Sequence, residues 1–144
     1  MTSTPVPNNP APAESRLPVP LAPGYYPAQQ QPMSPLPVVL LHGWGADSRV
    51  WGEFAGRLNQ TLSLVVIDLP GFGQNQSLAQ SVEALLPQLP ERAFIVGWSL
   101  GGMVATAIAE RAPDRVAGLV TLAANARFAA SPSWPTALAE ETFG

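Results

Sequence analysis

Residues 93–111 read Ala-Phe-Ile-Val-Gly-Trp-Ser-Leu-Gly-Gly-Met-Val-Ala-Thr-Ala-Ile-Ala-Glu-Arg, and the fold is decided by how this stretch changes its period. Phe94, Ile95 and Val96 form the short apolar run of a strand buried on both faces, whereas Met103, Val104, Ala107 and Ile108 recur at helical spacing. The change falls on Gly97-Trp98-Ser99-Leu100-Gly101, so the spacing predicts a strand, a sharp turn and a helix, with Ser99 at the apex. A serine in such a turn has strained backbone angles, and Gly97 and Gly101 stand where a Cβ would collide. Its hydroxyl then sits at a helix N-terminus, where unpaired N–H groups and the positive end of the helix dipole oppose negative charge. That pattern suits a serine nucleophile with the Leu100 N–H as oxyanion donor. The plainer alternative is an ordinary glycine-rich turn: with Gly near 7% of residues and Ser similar, G-x-S-x-G arises by chance in roughly one chain in twenty of this length. The flanking strand and helix, and a second motif upstream, therefore carry the reading.

Upstream, Val38-Val39-Leu40-Leu41 is another fully apolar run, bounded by Pro37 and by the loop His42-Gly43-Trp44-Gly45. Asp47 or Ser48 can cap a following helix with Val50, Trp51, Phe54 and Leu58 on one face, weakened by Gly52 and Gly56. Leu62 to Ile67 is the next strand, closed by Asp68-Leu69-Pro70-Gly71-Phe72-Gly73. Ser77 can cap a helix with the stripe Leu78, Val82, Leu85, Leu86 and Leu89, its last turn disturbed by Pro87. Downstream, Pro113 stops the central helix and Val116 to Ala123 forms a fourth strand. The order βαβαβαβ predicts an α/β fold with a parallel sheet covered on both faces. Ligands of such sheets bind beyond the carboxyl ends of the strands, where His42–Gly45, Asp68–Gly73, Ser99 and Ala123–Asn125 all fall.

Composition bounds the rest. Residues 1–37 hold 11 of the 17 prolines and only two charges, Glu14 and Arg16, so this segment is expected to be disordered. Residues 38–126 are expected to form a partial core and 127–144 the start of a cap region. Cysteine is absent, which excludes disulfides and thiolate metal sites, and no metal site is expected. No signal-peptide pattern or membrane-spanning run occurs, so the expected setting is the cytoplasm without a membrane partner. Seven arginines, no lysine and a net charge of −3 leave no basic cluster for nucleic acid.

LLHGWG at 40–45, DLPGFG at 68–73 and GWSLGG at 97–102 resemble the α/β-hydrolase fold family. With LVTLA at 119–123 and Ser133-Trp134-Pro135, the wording is most similar to the pimeloyl-[acyl-carrier protein] methyl ester esterases of biotin synthesis. The resemblance covers about residues 38–138. It implies a serine carboxylesterase that forms an acyl-enzyme on Ser99, with the backbone N–H groups of Trp44 and Leu100 in the oxyanion hole and the Trp44 ring beside the acyl pocket. It implies no cofactor, a small ester substrate linked to acyl-carrier protein, and a monomer if complete. In that family the acid and base of the triad follow two later strands and a helical cap, so the 144-residue chain is expected to correspond to the N-terminal half and to be weakly active or inactive alone. Two alternatives stay open: another hydrolase of the fold, such as a lipase or lactonase, and a truncated acyl-binding product without catalysis.

His42 is the only histidine. As a base it would have to approach Ser99 within about 3 Å; the resemblance instead puts it at the start of the oxyanion loop, in a structural role. Asp68 is expected to fix the turn that follows it by accepting from its N–H groups. Gly71-Phe72-Gly73 lacks the third glycine of a dinucleotide loop. Trp98 is open between lining the site and packing on the sheet, and Trp51 and Trp134 are expected in the core or at a cap hinge.

Overall fold

The computed structural model describes residues 17–71, 77–125, 131–133 and 135. The expectations for residues 1–16, for Phe72 and Gly73, for Trp134 and for most of the cap region fall outside them. Five strands form one sheet: β1 (Gly24–Tyr26), β2 (Val38–Leu41), β3 (Leu64–Ile67), β4 (Ala93–Trp98) and β5 (Val116–Leu122), in the order β1-β3-β2-β4-β5. β2 is parallel to both β3 and β4, β4 is parallel to β5, and β1 alone is antiparallel. Helices α1 (Gly52–Leu58), α2 (Leu78–Leu85) and α3 (Leu100–Arg111) connect the parallel strands.

Side chains alternate across β2 and β4, and each set meets a different layer. Val39, Leu41 and Ile95 pack with Val82 and Leu85 of α2 and with Leu100, Val104 and Ile108 of α3. Val38, Leu40 and Val96 pack on the opposite side with Trp51 and Ala55. The sheet is thus covered on both faces, which is why its central strands read as uninterrupted apolar runs.

Local chemistry sets the helix ends. Ser77 and Gln80 form a reciprocal capping box at α2, and Pro87 turns its end into a 3-10 turn at Leu86–Gln88. Asp47 caps a 3-10 turn at Ser48–Trp51 that precedes α1. That turn corrects the expected face of the helix: Trp51 and Ala55 are buried, whereas Val50 and Phe54 are exposed. Three residues per turn rather than 3.6 shifts the phase of every side chain that follows.

A second correction concerns residues 1–37, expected to be disordered throughout. From Leu17 onward the segment is ordered against the sheet: β1 pairs with β3, and Leu21 is buried in the α1-side cluster. Buried Asn59 holds it there. Its Nδ2 donates to the carbonyls of Tyr26 (3.0 Å), Pro27 (3.0 Å) and Leu62 (3.1 Å), and its Oδ1 accepts from Gln29 Nε2 (3.2 Å). Backbone bonds from Gln29, Gln30 and Met33 to the Asn59, Gln60 and Thr61 carbonyls continue the attachment. At the opposite end of the described sheet β5 exposes Leu119, Val120 and Leu122. Among the described residues no helix is long and apolar enough to cross a membrane.

Candidate active site

The registers Leu41↔Ile67 and Leu41↔Gly97 set the ends of β2, β3 and β4 abreast, so the loops beginning at His42, Asp68 and Ser99 emerge together. β2 lies between β3 and β4, so the chain leaves it toward one side and later returns on the other, the arrangement that opens a crevice at the strands' carboxyl ends.

Ser99 occupies the junction of β4 and α3 with φ 53° and ψ −118°, a conformation that non-glycine residues adopt only at a cost of about 1–3 kcal/mol. Its N–H donates to the Leu122 carbonyl (2.9 Å), and its carbonyl accepts from Gly102 N–H (2.9 Å) and Met103 N–H (3.3 Å), so neighbours on both sides hold the strained residue. A Cβ at Gly97 would run into the Gly101 carbonyl, and one at Gly101 into the carbonyls of Leu41 and His42. Both glycines are therefore required by close approach, as the motif implied. Because Ser99 is the N-cap of α3, the Leu100 N–H is the first of the helix and has no acceptor within it. The Leu100 side chain is buried and helps line a cavity of about 200 Å³.

His42, Gly43, Trp44, Gly45 and Ala46 form another wall of that cavity, and Leu69, Pro70 and Gly71 close it. Gly43 to Ala46 is a β-turn: Ala46 N–H donates to the Gly43 carbonyl (3.3 Å), and Gly45 takes the positive φ, 68°, that its third position favours. A Cβ added to Gly43 would stand 3.2 Å from the Ser99 Cβ, so the loop backbone passes directly beside the serine. The Trp44 side chain is largely exposed, at 60%. Trp98 is partly buried, packing into the α1-side cluster, and its ring closes on Gly43.

His42 is only 5% exposed and engaged at both ring nitrogens. The Leu69 N–H donates to Nε2 (2.9 Å), and Nδ1 lies 2.8 Å from the Gly43 carbonyl. An amide N–H can only donate, so Nε2 accepts and Nδ1 carries the proton. Neither nitrogen is left to receive a proton from Ser99. This corrects the expectation for Asp68, since the N–H that follows it bonds to His42 instead. Asp68 Oδ1 accepts from Ser48 N–H (2.7 Å), while Ser48 Oγ donates to the Leu21 carbonyl (2.9 Å), which ties the end of β3 to the first turn after β2 and to the N-terminal segment. The 3.8 Å from Asp68 Oδ1 to His42 Nε2 is too long for a hydrogen bond. At the outer rim the Arg49 side chain beside Asp47, with the Arg49 N–H, lowers the Asp47 carboxyl to about 2.

The structure thus brings Ser99, the Leu100 N–H and the Gly43–Gly45 loop together, and separates Asp68 from any catalytic arrangement. Sequence reasoning missed Leu69 as the partner of His42 and Gly43 as the close neighbour of Ser99; only the strand register reveals either. Among the described residues no group of three His, Cys, Asp or Glu could hold a metal.

Residues 38–143 match the alpha/beta hydrolase family. The chain is 47% identical over 103 residues to a pimeloyl-[acyl-carrier protein] methyl ester esterase of Pectobacterium carotovorum subsp. carotovorum (strain PC1), covering 68% of this chain and 40% of that protein. It is 45% identical over 109 residues to the biotin biosynthesis bifunctional protein BioHC of Cellvibrio japonicus (strain Ueda107), covering 72% and 22% respectively. An esterase from Exiguobacterium antarcticum superposes with a TM-score of 0.65 over 83% of this chain and 47% of its own, at 20% identity, a likeness of fold. The chain spans at most two fifths of the length of these two curated relatives.

Proposed function

The chain belongs to the alpha/beta hydrolase family, and from that premise we propose that it carries the nucleophile and oxyanion hole of a serine carboxylesterase. The observation that supports this best is the backbone of Ser99, held at φ 53° between a buried strand and a helix N-terminus. Strain of that kind persists only where the surrounding structure over-determines it, and here the strained residue adjoins Gly43 and Leu100, which line a cavity. In this reading Ser99 Oγ attacks the ester carbonyl, and the carbonyl oxygen becomes an anion between the N–H groups of Leu100 and Trp44. Collapse expels the alcohol and leaves an acyl-enzyme, which water cleaves. A base has to take the Ser99 proton and return it to the departing alcohol. His42 is committed to two backbone partners, so it does not serve.

The cavity is lined by the proposed oxyanion loop and by Leu100, so an ester carbonyl held between the two N–H groups would face it. The methyl esterase relative acts, by its name, on a carrier-linked methyl ester, and the same substrate class is proposed here. A second reading, binding of acyl compounds without turnover, is favoured by the engagement of the single histidine.

Hydrolysis of p-nitrophenyl acetate and butyrate by the chain and its Ser99→Ala form tests the proposal, together with labelling by a serine-directed phosphonate. The esterase reading expects Ser99 to be the labelled residue and Ser99→Ala to lose the hydrolysis above background. Equal rates with label elsewhere would overturn it. Phosphonate labelling of Ser99 without catalytic turnover favours the second reading.

A further inference from the structure

Building on the esterase reading, we infer that Ala123 is a positioning residue for Ser99, its backbone bend bracing both peptide groups between which the nucleophile is held. Among the described residues other than glycine, Ser99 and Ala123 are the two with positive φ, 53° and 47°. They stand side by side. The ladder between β4 and β5 ends on the pair Trp98↔Leu122, and each strained residue directly follows one member of that pair. A hydrogen bond joins them, since the Ser99 N–H donates to the Leu122 carbonyl (2.9 Å), which shares a planar peptide group with the Ala123 nitrogen. The Ala123 side chain is exposed, so the strain lies in the backbone, where the surrounding structure imposes it.

The unusual angles of Ser99 follow once the peptide planes on its two sides are fixed. The plane before it, Trp98–Ser99, is held by the Leu122 carbonyl. The plane after it carries the Leu100 N–H, the proposed oxyanion donor, and is held where the Ser99 carbonyl accepts from Gly102 N–H (2.9 Å) and Met103 N–H (3.3 Å). Just beyond the bend Ala124 packs against that same Gly102, so closely that a Cβ added there would overlap its own. The chain leaving β5 therefore reaches both planes, one through a carbonyl and the other through the helical turn that supplies the donors. A return of Ala123 to negative φ has to unseat Ala124 from Gly102 or turn the Leu122 carbonyl away from Ser99. Either change loosens the nucleophile.

Because the side chain is exposed, substitutions at 123 change backbone preference with little change in packing. Glycine adopts positive φ freely, asparagine does so more readily than most residues, and a β-branched residue such as valine resists it. Ala123→Gly and Ala123→Asn are therefore expected to keep the Ser99-dependent kcat on p-nitrophenyl acetate. Ala123→Val is expected to lower it by about 10–10²-fold with KM little changed, the scale of a reacting group displaced by up to about 1 Å. Hydrogen exchange reads the cause without turnover: relative to the amides of β3, the Ser99 amide should lose protection in Ala123→Val and keep it in Ala123→Gly. Wild-type kcat and a protected Ser99 amide in Ala123→Val, or a fall in Ala123→Gly as large as in Ala123→Val, overturns the inference. If Ala123→Val does not fold, the unaltered chain and Ala123→Gly decide, since both should show an NMR coupling from the Ser99 amide nitrogen to the Leu122 carbonyl carbon; its absence overturns the inference. A failure of the esterase reading itself would show separately, as Ser99→Ala matching wild type in hydrolysis while that coupling and the exchange pattern persist.

Discussion

Alanine in place of Gly101 should destabilise the chain, and alanine in place of Gly52 should not, although both glycines lie in helices. Gly52, the first residue of α1, has nothing within 4 Å of where a Cβ would stand, so Gly52→Ala meets no obstacle and is expected to change stability by no more than about 0.5 kcal/mol. At Gly101 the added carbon would lie 2.5 Å from the His42 carbonyl oxygen and closer still to that of Leu41, whereas real Cβ contacts do not fall below 3.0 Å. Both obstacles are backbone, so α3 has to move away from β2 by at least the difference, 0.5 Å. A gap of that size forfeits about a quarter of a van der Waals well, and it opens beneath buried Leu100, Val104 and Ile108. If each contributes about 1.5–3 kcal/mol, the three together lose about 1–2 kcal/mol. Residual overlap adds about 1–2 kcal/mol and the better helix propensity returns up to 1, for a net loss of about 1–3 kcal/mol. For a chain of this size that lowers Tm by about 3–15 °C. Urea unfolding followed by circular dichroism, with the slope unchanged, measures both variants. If Gly101→Ala came within about 0.5 kcal/mol of wild type, or if Gly52→Ala lost as much as Gly101→Ala, the packing argument would be refuted.

Asn59→Leu leaves the carbonyls of Tyr26, Pro27 and Leu62 without their shared donor, so a loss of about 2–4 kcal/mol is expected. Amide exchange at Gln29, Gln30 and Met33 should accelerate before exchange in β4, and unchanged protection there would contradict the anchoring role. The Asp47 carboxyl, lowered by Arg49 from 3.8 to about 2, should stay ionised through most of the acid range. Since its folded value lies below the unfolded one, its cap is fully present above about 3.8 and lost as pH falls through about 2; a carbon-13 titration midpoint near 3.8 would show that the pairing is absent in solution. With its single histidine committed to backbone partners, the 144-residue chain is expected to hydrolyse p-nitrophenyl acetate well below the usual range of about 1–10³ s⁻¹. Turnover within that range, abolished by His42→Asn as well as by His42→Ala, would instead make His42 the base.

The central strands and α3 were legible because burial on both faces leaves an unbroken apolar run and burial on one leaves a 3.6-residue stripe, as in Phe94–Val96 and in Val104 and Ile108. Ser99 was legible for a related reason: two flanking glycines at a change of period imply a crowded turn. β1 was not. Gly24-Tyr25-Tyr26 lies in a proline-rich stretch with no period of its own, and what holds it is an asparagine more than 30 residues away, chosen by tertiary contact rather than local propensity. The facing of α1 failed because a 3-10 turn precedes it, and nothing in Ser48–Trp51 distinguishes three residues per turn from 3.6. His42 could be recognised as a loop residue, but its two partners follow from the register of β2 against β3 and β4.

The two proposed oxyanion donors come from different elements, and what sets their separation is the contact between Gly101 and the Leu41 and His42 carbonyls. Leu100 N–H moves with α3, while Trp44 N–H moves with the loop that leaves β2. Any residue larger than glycine at 101 therefore widens the hole by the same displacement that loosens the helix, and stability and turnover must fall together there. At Ala123 they can separate, because the side chain is exposed and the bend bears on the peptide groups of Ser99 rather than on the core. At Asn59 they separate the other way, since its partners hold the N-terminal segment and none of them lines the cavity. A comparison of kcat with unfolding free energy across Gly101→Ala, Ala123→Val and Asn59→Leu should therefore scatter rather than fall on one line. A single line would mean that activity simply follows the folded fraction and that the geometry of the hole contributes nothing of its own.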